Sequence, residues 1–301
     1  MARQFGRELE ILIGTDDEVI SVDNNFKVRV EVTKNLKKSE PDEASITIVN
    51  LNESSRRKAA DEEFKSIVIS GGYSGNKNVV FSGKVQTADP VKSGTEWITT
   101  ITAGDGADAI ADSFLSKSYN SGLPVSTIIR DCAQAMGLTL ELTPGNYTRA
   151  TLPRGKVADD STRNILDKLG ITYDLEWSVQ DSVLVVVPKN ASRIAEPVLL
   201  SSKNGLLGTP EFVDQGSDTG SKTKKSTRGL RFRSLLRPLI LPGRNVVIES
   251  PALKGEANSY VFNRQGRETI QGLYKVTKVV HTLETFGGDF ITACESEIAN
   301  G

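Results

Sequence analysis

His281 is the one histidine of the 301-residue chain, and Cys132 and Cys294 are its two cysteines. A multi-histidine metal site is therefore impossible, and a Ser-His-acid triad would have to run through His281. His281 closes the alternating run Tyr274 to His281, where a plain strand residue is the simpler reading. Neither cysteine belongs to a Cys-x-x-Cys pair, and Cys132 lies on the apolar side of a helical pattern. Both read as reduced packing residues in a chain of cytoplasmic redox character. Asp16-Asp17, Asp42-Glu43, Glu62-Glu63 and Asp159-Asp160 offer carboxylate pairs for acid/base hydrolysis on paper. Sequence neighbours in polar turns and helix ends diverge, so solvated surface is expected at all four. Asp105, Asp108 and Asp112 have helical spacing that would suit a cation, but the calcium-loop pattern is missing. No Gly-x-Ser-x-Gly elbow, Walker loop or full Gly-x-Gly-x-x-Gly occurs, and Gly71-Gly72-Tyr73-Ser74-Gly75 precedes no helical pattern and reads as a hairpin turn. The expectation is no catalytic residue, no cofactor and no metal.

One stretch invites a different chemistry. Gln215 to Gly229, QGSDTGSKTKKSTRG, has no apolar residue and carries Lys222, Lys224, Lys225 and Arg228. It cannot order around a core of its own. A mobile loop or hairpin tip is the plain reading, and contact of the four cations with an acidic partner surface is the functional one.

The elements that must position these residues are mostly strands. Phe5, Leu9, Ile11 and Ile13 share one parity, Asp16-Asp17 makes a turn, and Phe26, Val28, Val30 and Val32 repeat the alternation. Ile46 and Ile48 continue it, Ser54 to Phe64 is helical, and Ile67, Ile69, Val79, Phe81, Val85 and Trp97 to Thr102 return to strand. After Gly104-Asp105-Gly106 the texture changes. Pro124 suits a first helical turn, Val125, Ile128, Ile129, Cys132 and Met136 fall at helical spacing, and Gly137 is a stop. A second helix starts at Ser161 as N-cap and is expected to end at Gly170. Strands Ile171 to Val179 and Val183 to Val187 follow around a Gln180-Asp181-Ser182 turn. Strand texture returns in Leu235 to Leu241, Val246 to Ile248, Tyr274 to His281 and Phe290 to Cys294. Phe5, Phe26, Trp97, Trp177 and Phe290 take inward strand positions and read as core.

This gives three units: a β-domain over 1–106, an α/β insert over 107–189, and a second β-domain over 190–301 that carries the flexible loop 215–229. The two ends also echo each other. Lys84-Val85 followed by Gly94-Thr-Glu-Trp97-Ile-Thr99 parallels Lys278-Val279 followed by Gly287-Gly-Asp-Phe290-Ile-Thr292. The fold class expected is mainly β with a small α/β insert.

Composition narrows the function. Lys plus Arg number 37 and Asp plus Glu 38, for a net charge of -1, which disfavours a mainly electrostatic nucleic-acid or membrane-surface binder. Hydrophobic residues make up 38%, with no run near the ~20 residues of a membrane helix. Arg3, Arg7, Glu8 and Glu10 break up Met1 to Gly14, unlike a secretory signal.

The ordered series FKVRV at Phe26, ASITIVNL at Ala44 to Leu51, GGYSG at Gly71 to Gly75, VFSGKV, EWITTITAGDG at Glu96 to Gly106, GLLGTP at Gly205 to Pro210, LLRPLILPG at Leu235 to Gly243 and GLYKVTKVVH at Gly272 to His281 resembles the baseplate hub proteins of contractile-tailed bacteriophages. The resemblance covers nearly the whole chain. It implies two tail-tube-like antiparallel β-barrels per chain, a homotrimer, and a virion structural protein that is not an enzyme. The implied role joins the sixfold tail tube to the trimeric spike. Implied partners are tube or tube-initiator proteins, the central spike and other baseplate proteins, with genome DNA passing through the channel unbound. Assembly would take place in the host cytoplasm. An alternative of another class, a carbohydrate-binding or hydrolytic β-protein of a tail or envelope, calls for an aromatic platform or a carboxylate pair across a cleft.

Overall fold

The computed structural model describes residues 6–36, 41–189, 191–215, 227–254, 260–262 and 270–299. The N-terminal unit holds β1 (Arg7–Gly14), β2 (Val19–Asp23), β3 (Val28–Asn35), β4 (Asp42–Val49), α1 (Glu53–Ala60), β5 (Ser66–Tyr73), β6 (Asn76–Ser93) and β7 (Glu96–Asp105). The insert holds α2 (Ala107–Asp112), β8 (Phe114–Tyr119), α3 (Val125–Ala135), β9 (Thr139–Leu142), α4 (Asn146–Arg149), β10 (Lys156–Ser161), α5 (Thr162–Tyr173), β11 (Leu175–Gln180) and β12 (Val183–Pro188). The C-terminal unit holds β13 (Val198–Ser201), β14 (Leu206–Gln215), β15 (Thr227–Leu235), β16 (Asn245–Ser250), β17 (Ala252–Lys254), β18 (Tyr260–Phe262), β19 (Ile270–Glu284) and β20 (Phe290–Ile298).

The strands of both ends join into one 15-stranded sheet in the order β18-β17-β14-β15-β20-β19-β3-β4-β7-β6-β5-β1-β2, with β16 also on β19 and β13 on β16. The path is open at both ends, so the expected pair of closed barrels is not seen among the described residues. What recurs is a strand order. The N-terminal unit runs β3-β4-β7-β6-β5-β1 and the C-terminal unit runs β14-β15-β20-β19-β16-β13, the same order when strands are ranked along each unit's chain. The last pairing differs, antiparallel between β1 and β5 and parallel between β13 and β16.

A β-bulge fixes the alignment of the two units. The ladder of β6 with β7 slips between Val85 and Thr87, opposite Ala103 and Thr102. That of β19 with β20 slips between Val276 and Lys278, opposite Ser296 and Glu295. Superposing Trp97 on Phe290 carries one bulge onto the other, and Lys84-Val85 then meets Lys275-Val276. The echo in the sequence is real, but Lys278-Val279, the expected match, lies three residues too far along β19. The tripeptide step in YKVTKV offers two Lys-Val pairs, and only the bulge distinguishes them.

Three large apolar cores and a small fourth run through the described residues, the fourth formed by Leu36 against Val185 and Val187 of the insert. Ile11, Val30, Ile46, Ile69 and Phe81 sit in the first, and Leu236, Leu283 and Phe290 of the C-terminal unit join them. Ile128, Cys132, Leu166 and Trp177 centre the insert, and Leu230, Phe232, Val276 and Val279 the third. Within the insert, β12 is the middle strand of β11-β12-β9, which explains the uninterrupted apolar run that fills it.

Local expectations fail at three places. The helix expected over Ser54 to Phe64 is Glu53–Ala60 and stops before Phe64. α5 is capped by Ser161 as expected but runs through Gly170 to Tyr173, and it ends where Asp174 turns left-handed at φ 51 and returns its N–H to Gly170. Ile171 and Tyr173 therefore belong to the helix, because a short i, i+2 repeat fits a helix flank as well as a strand. Strand character stops at Leu235 rather than Leu241, since Pro238 and Pro242 cannot serve a ladder.

Candidate functional site

The alternation that buries Val28, Val30 and Val32 carries on to Lys34, whose side chain is only 1% exposed. A lysine there needs a partner. The insert supplies it: the tight β11 to β12 turn places Asp181 so that Lys34 Nζ donates to both carboxylate oxygens, at 2.8 and 2.7 Å. Both turn residues, Asp181 and Ser182, have left-handed backbones, at φ 50 and 62. Beside this pair, the Ser182 N–H donates to Asp105 at 2.9 Å, and its hydroxyl donates to the other oxygen at 3.3 Å.

Two further buried cations continue the seam. Lys275 of β19 donates to Glu176 at 2.8 Å and to the Lys189 carbonyl at 3.1 Å, with Glu297 at 3.6 Å. Arg193 grips Glu141 of β9 through Nε at 2.7 Å and through Nη2, and donates to Gln180 at 2.9 Å. Each cation lies outside the insert, and Asp181, Glu176 and Glu141, the carboxylates that they donate to, lie within it. The insert is thus held to the sheet by three ionic contacts whose geometry fixes its orientation.

Asp42 lies in the same neighbourhood and corrects an expectation: it is fully buried, not solvated, while its neighbour Glu43 faces water. Asp42 Oδ1 accepts from the Asn35 N–H at 3.4 Å and Oδ2 has no hydrogen-bond partner. Burial pushes its carboxyl well above the ordinary range, Lys34 opposes that, and the nearby Asp181 and Asp105 charges add to it. Asp105 is shifted upward as well, chiefly by burial. Asp16-Asp17 and Glu62-Glu63 are exposed, Asp159 is exposed, and Asp160 is tied to Lys168 and Asn164.

His281 is fully buried in β19, with Nδ1 at 2.9 Å from the Thr292 hydroxyl. Burial, with Lys34 nearby, holds its pKa down to about 3, so it is neutral at physiological pH. Cys132 and Cys294 are free and buried, and burial raises the Cys132 thiol to about 12. Among the described residues no group of three His, Cys, Asp or Glu side chains is placed to hold a metal ion. A cleft of about 900 Å³ between the β6 bulge and α2 is lined by Lys84, Gln86, Asp105, Asp112 and Met136 among others, with no aromatic wall.

Of the expected contact residues, Lys222, Lys224 and Lys225 lie outside the described residues. Arg228 lies in β15, where its backbone pairs with Asp214. Phe5 also lies outside. Trp177 and Phe290 are buried as expected, whereas Phe26 and Trp97 are half-buried, with the Arg56 guanidinium 4.7 Å over the Trp97 ring.

The model of the family described as baseplate hub gp41 matches residues 9–249. The chain belongs to the baseplate hub gp41 family. The hub is therefore a structural phage baseplate protein by family. No curated protein matches it. Among solved structures, the fold is similar to the 43 kDa tail protein of prophage MuSo2 from Shewanella oneidensis, with 9% identity, TM-score 0.57, and 96% of the hub and 98% of that chain covered. It is also similar to a tail protein of Neisseria meningitidis MC58, with 11% identity, TM-score 0.58 and 97% of each chain covered. A third likeness is to the Escherichia coli c3393 protein, described as a component of the type VI secretion system with structural similarity to T4 tail proteins gp27 and gp5. There the identity is 10%, the TM-score 0.54, and the coverage 91% of the hub and 74% of that chain. At such identities the likeness is one of fold. In the described residues no helix is long and apolar enough to cross a membrane.

Proposed function

We propose that the hub is the symmetry adaptor of a contractile-tail baseplate, a homotrimer that joins the sixfold tail tube to a trimeric spike and surrounds the channel. The observation that carries this is the strand order repeated twice in one chain. Three chains then present six similar β-units to a tube on one side while keeping threefold symmetry on the other. The likeness to proteins named as tail components, and to a VgrG complex (TM-score 0.52), supports a spike as the threefold partner. Genome DNA passes the channel without specific contact, since a duplex with one charge per ~1.7 Å of axis would be held by a basic bore. The segment 215–229 reaches an acidic surface on a neighbouring baseplate protein through Lys222, Lys224, Lys225 and Arg228. The protein resides in the virion after assembly in the host cytoplasm.

Electron microscopy of the tail, with the mass of the hub extracted from it, tests the reading. Three copies around a lumen not dominated by Lys and Arg are expected, and a monomeric hub or a basic lumen overturns it. Replacing the four cations by Ser should spare trimer formation and weaken baseplate assembly in a salt-dependent way; unchanged assembly at every ionic strength refutes the loop contact.

A further inference from the structure

The residues beneath the β11 to β12 turn carry more negative charge than the lysine among them answers. Lys34, Asp42 and Asp105 stand in a row across β3, β4 and β7. Asp42 is directly opposite Asp105 in the ladder of β4 with β7. Lys34 is its neighbour on the other side, one step beyond Thr33 opposite Glu43. All three side chains point inward, at 1%, 0% and 5% exposure for Lys34, Asp42 and Asp105. Lys34 gives its Nζ to both oxygens of Asp181. Asp105 accepts from the N–H and the hydroxyl of Ser182. Asp42 is left with the Asn35 N–H at 3.4 Å on one oxygen and no hydrogen-bond partner on the other.

Facing residues of an antiparallel ladder lie ~4.5–5.5 Å apart at Cα. Two carboxylates so placed and so buried do not both ionise, and one of them keeps a proton. An unpartnered neutral hydroxyl on Asp42 costs far less there than an unpartnered charge. Burial acts in the same direction on both groups. Of the other titratable groups nearby, Asp181 is already bound to Lys34, and His281 of β19 is neutral. Lys84 and Asp112 stand in the wall of the cleft of about 900 Å³ that Asp105 and Ser182 also line, so solvent reaches the pair from the Asp105 side. The cover of the pair belongs to the insert. The chain enters the insert at Gly106, with φ 75, immediately after Asp105. A Cβ on Gly106 would come within 2.4 Å of Val179 on β11, so the β11 to β12 hairpin packs directly on the crossover beside the pair.

We propose that the Asp42 and Asp105 carboxyls bind one proton between them and that this proton latches the insert onto the sheet. The Asp181-Ser182 turn seats over the pair while the proton is held and lifts when both groups are ionised. The latch is independent of the hub's place in the tail. Lifting the turn opens the cleft to water, and each carboxyl then behaves as an ordinary one. The open state therefore releases a proton that the seated state holds. Acid favours seating. Between the ordinary aspartate pKa of ~3.9 and the higher value of the seated pair, each unit of rising pH shifts the balance tenfold toward opening. Above the seated value the balance stops changing. His281 titrates in the opposite sense, and it cancels when the hub is compared with a variant that keeps it.

Amide exchange on the full chain tests the latch, read at Ser182, whose N–H is bound to Asp105, and at Ile46 within the sheet. Asp42→Asn serves as the neutral isostere of the protonated acid. After correction for intrinsic rates, opening at Ser182 should rise about tenfold per pH unit from about pH 4.5 to about pH 6 in the unsubstituted hub, and about threefold or less in Asp42→Asn. No rise in the hub, or an undiminished rise in the variant, overturns the latch. Ile46 should exchange at least about tenfold more slowly than Ser182. Equal protection would mean that the insert does not lift apart from the sheet, which also overturns it. Infrared spectra at about pH 6, about two units above an ordinary aspartate, should show a protonated-carboxyl band in the hub that Asp42→Asn lacks. A hub without that band holds no such proton. Band and slope are both read on the unsubstituted chain, so neither depends on the variant folding.

Discussion

β6 and β19 do the same work in the repeated order yet present different surfaces. In the outer half of β19, Val279, His281 and Leu283 are all fully buried. In the outer half of β6, Ala88 and Pro90 are half-buried, Lys92 is exposed, and Val91 on the other face is 59% exposed. The bulge and the ladder partners correspond, so local conformation does not cause the difference. β3 lies on one of these edges and nothing in the described chain lies on the other. A strand's burial is therefore set by its neighbour rather than by its place in the fold, and at one of the three positions the uncovered strand has a charge, Lys92, where its covered twin has Leu283.

The aromatic residues that lead the equivalent strands β7 and β20 give the strongest way to break this comparison. Phe290 is 1% exposed, packs edge-on against Tyr73 with ring centroids 5.5 Å apart, and joins the core of the other unit. Trp97 is half-buried. Phe290→Ala should cost ~3–5 kcal/mol in urea unfolding, and Trp97→Ala clearly less, ~1–2 kcal/mol. Equal losses would mean that the two positions are equally enclosed and the contrast is false.

Lys34 tests the seam in which the covered junction meets the insert. Lys34→Met leaves Asp181 without its cation and Asp42 without the nearby charge of Lys34, and should destabilise by about 3 kcal/mol, the low end for a broken buried pair because Asp181 keeps contact with water. A double cycle with Asp181→Asn measures the coupling, and a value near zero would show that the contact holds nothing.

His281, the counterpart of Pro90, gives a pH signature. Its pKa is about 3 in the fold against 6.5 for an ordinary histidine. The unfolded chain therefore binds the extra proton between those values, and the native state loses stability as pH falls from about 6.5 toward 3, by ~4 kcal/mol over the range. Asp42 and Asp105, whose carboxyls are raised in the fold, act with the opposite sign and gain on acidification. The stability difference between the hub and His281→Leu isolates the histidine, and it should grow with rising pH across that window. A flat difference would mean that His281 is not held neutral.

The smallest effects separate the cations near the open hairpin. Arg56→Ala removes the guanidinium over the Trp97 ring and should cost ~0.5–1 kcal/mol. Arg57→Ala removes an exposed i, i+4 pair with Glu53 and should cost at most ~0.5 kcal/mol. If Arg57 proves the larger, the packing on Trp97 is weaker than its counterpart on Phe290, where Arg7 lies 5.4 Å from the ring.

Period and punctuation carried most of the elements. Alternation marked β1, β3 and β4, helical spacing marked α3, and Ser161 marked the start of α5, because each is a property of consecutive residues and their two faces. The parity of Val28, Val30 and Val32 also pointed at Lys34, a readable sign of a buried cation. The sequence could not say that Asp181 would meet it, 147 positions away. Nor could it say that Asp42 would be buried while Glu43 stayed wet, or which of two Lys-Val pairs carried the bulge. The split of β19 between β16 and β3 was equally out of reach. Side-chain faces follow from local geometry, whereas partners and register are chosen by contacts between distant segments, which no window of the chain contains.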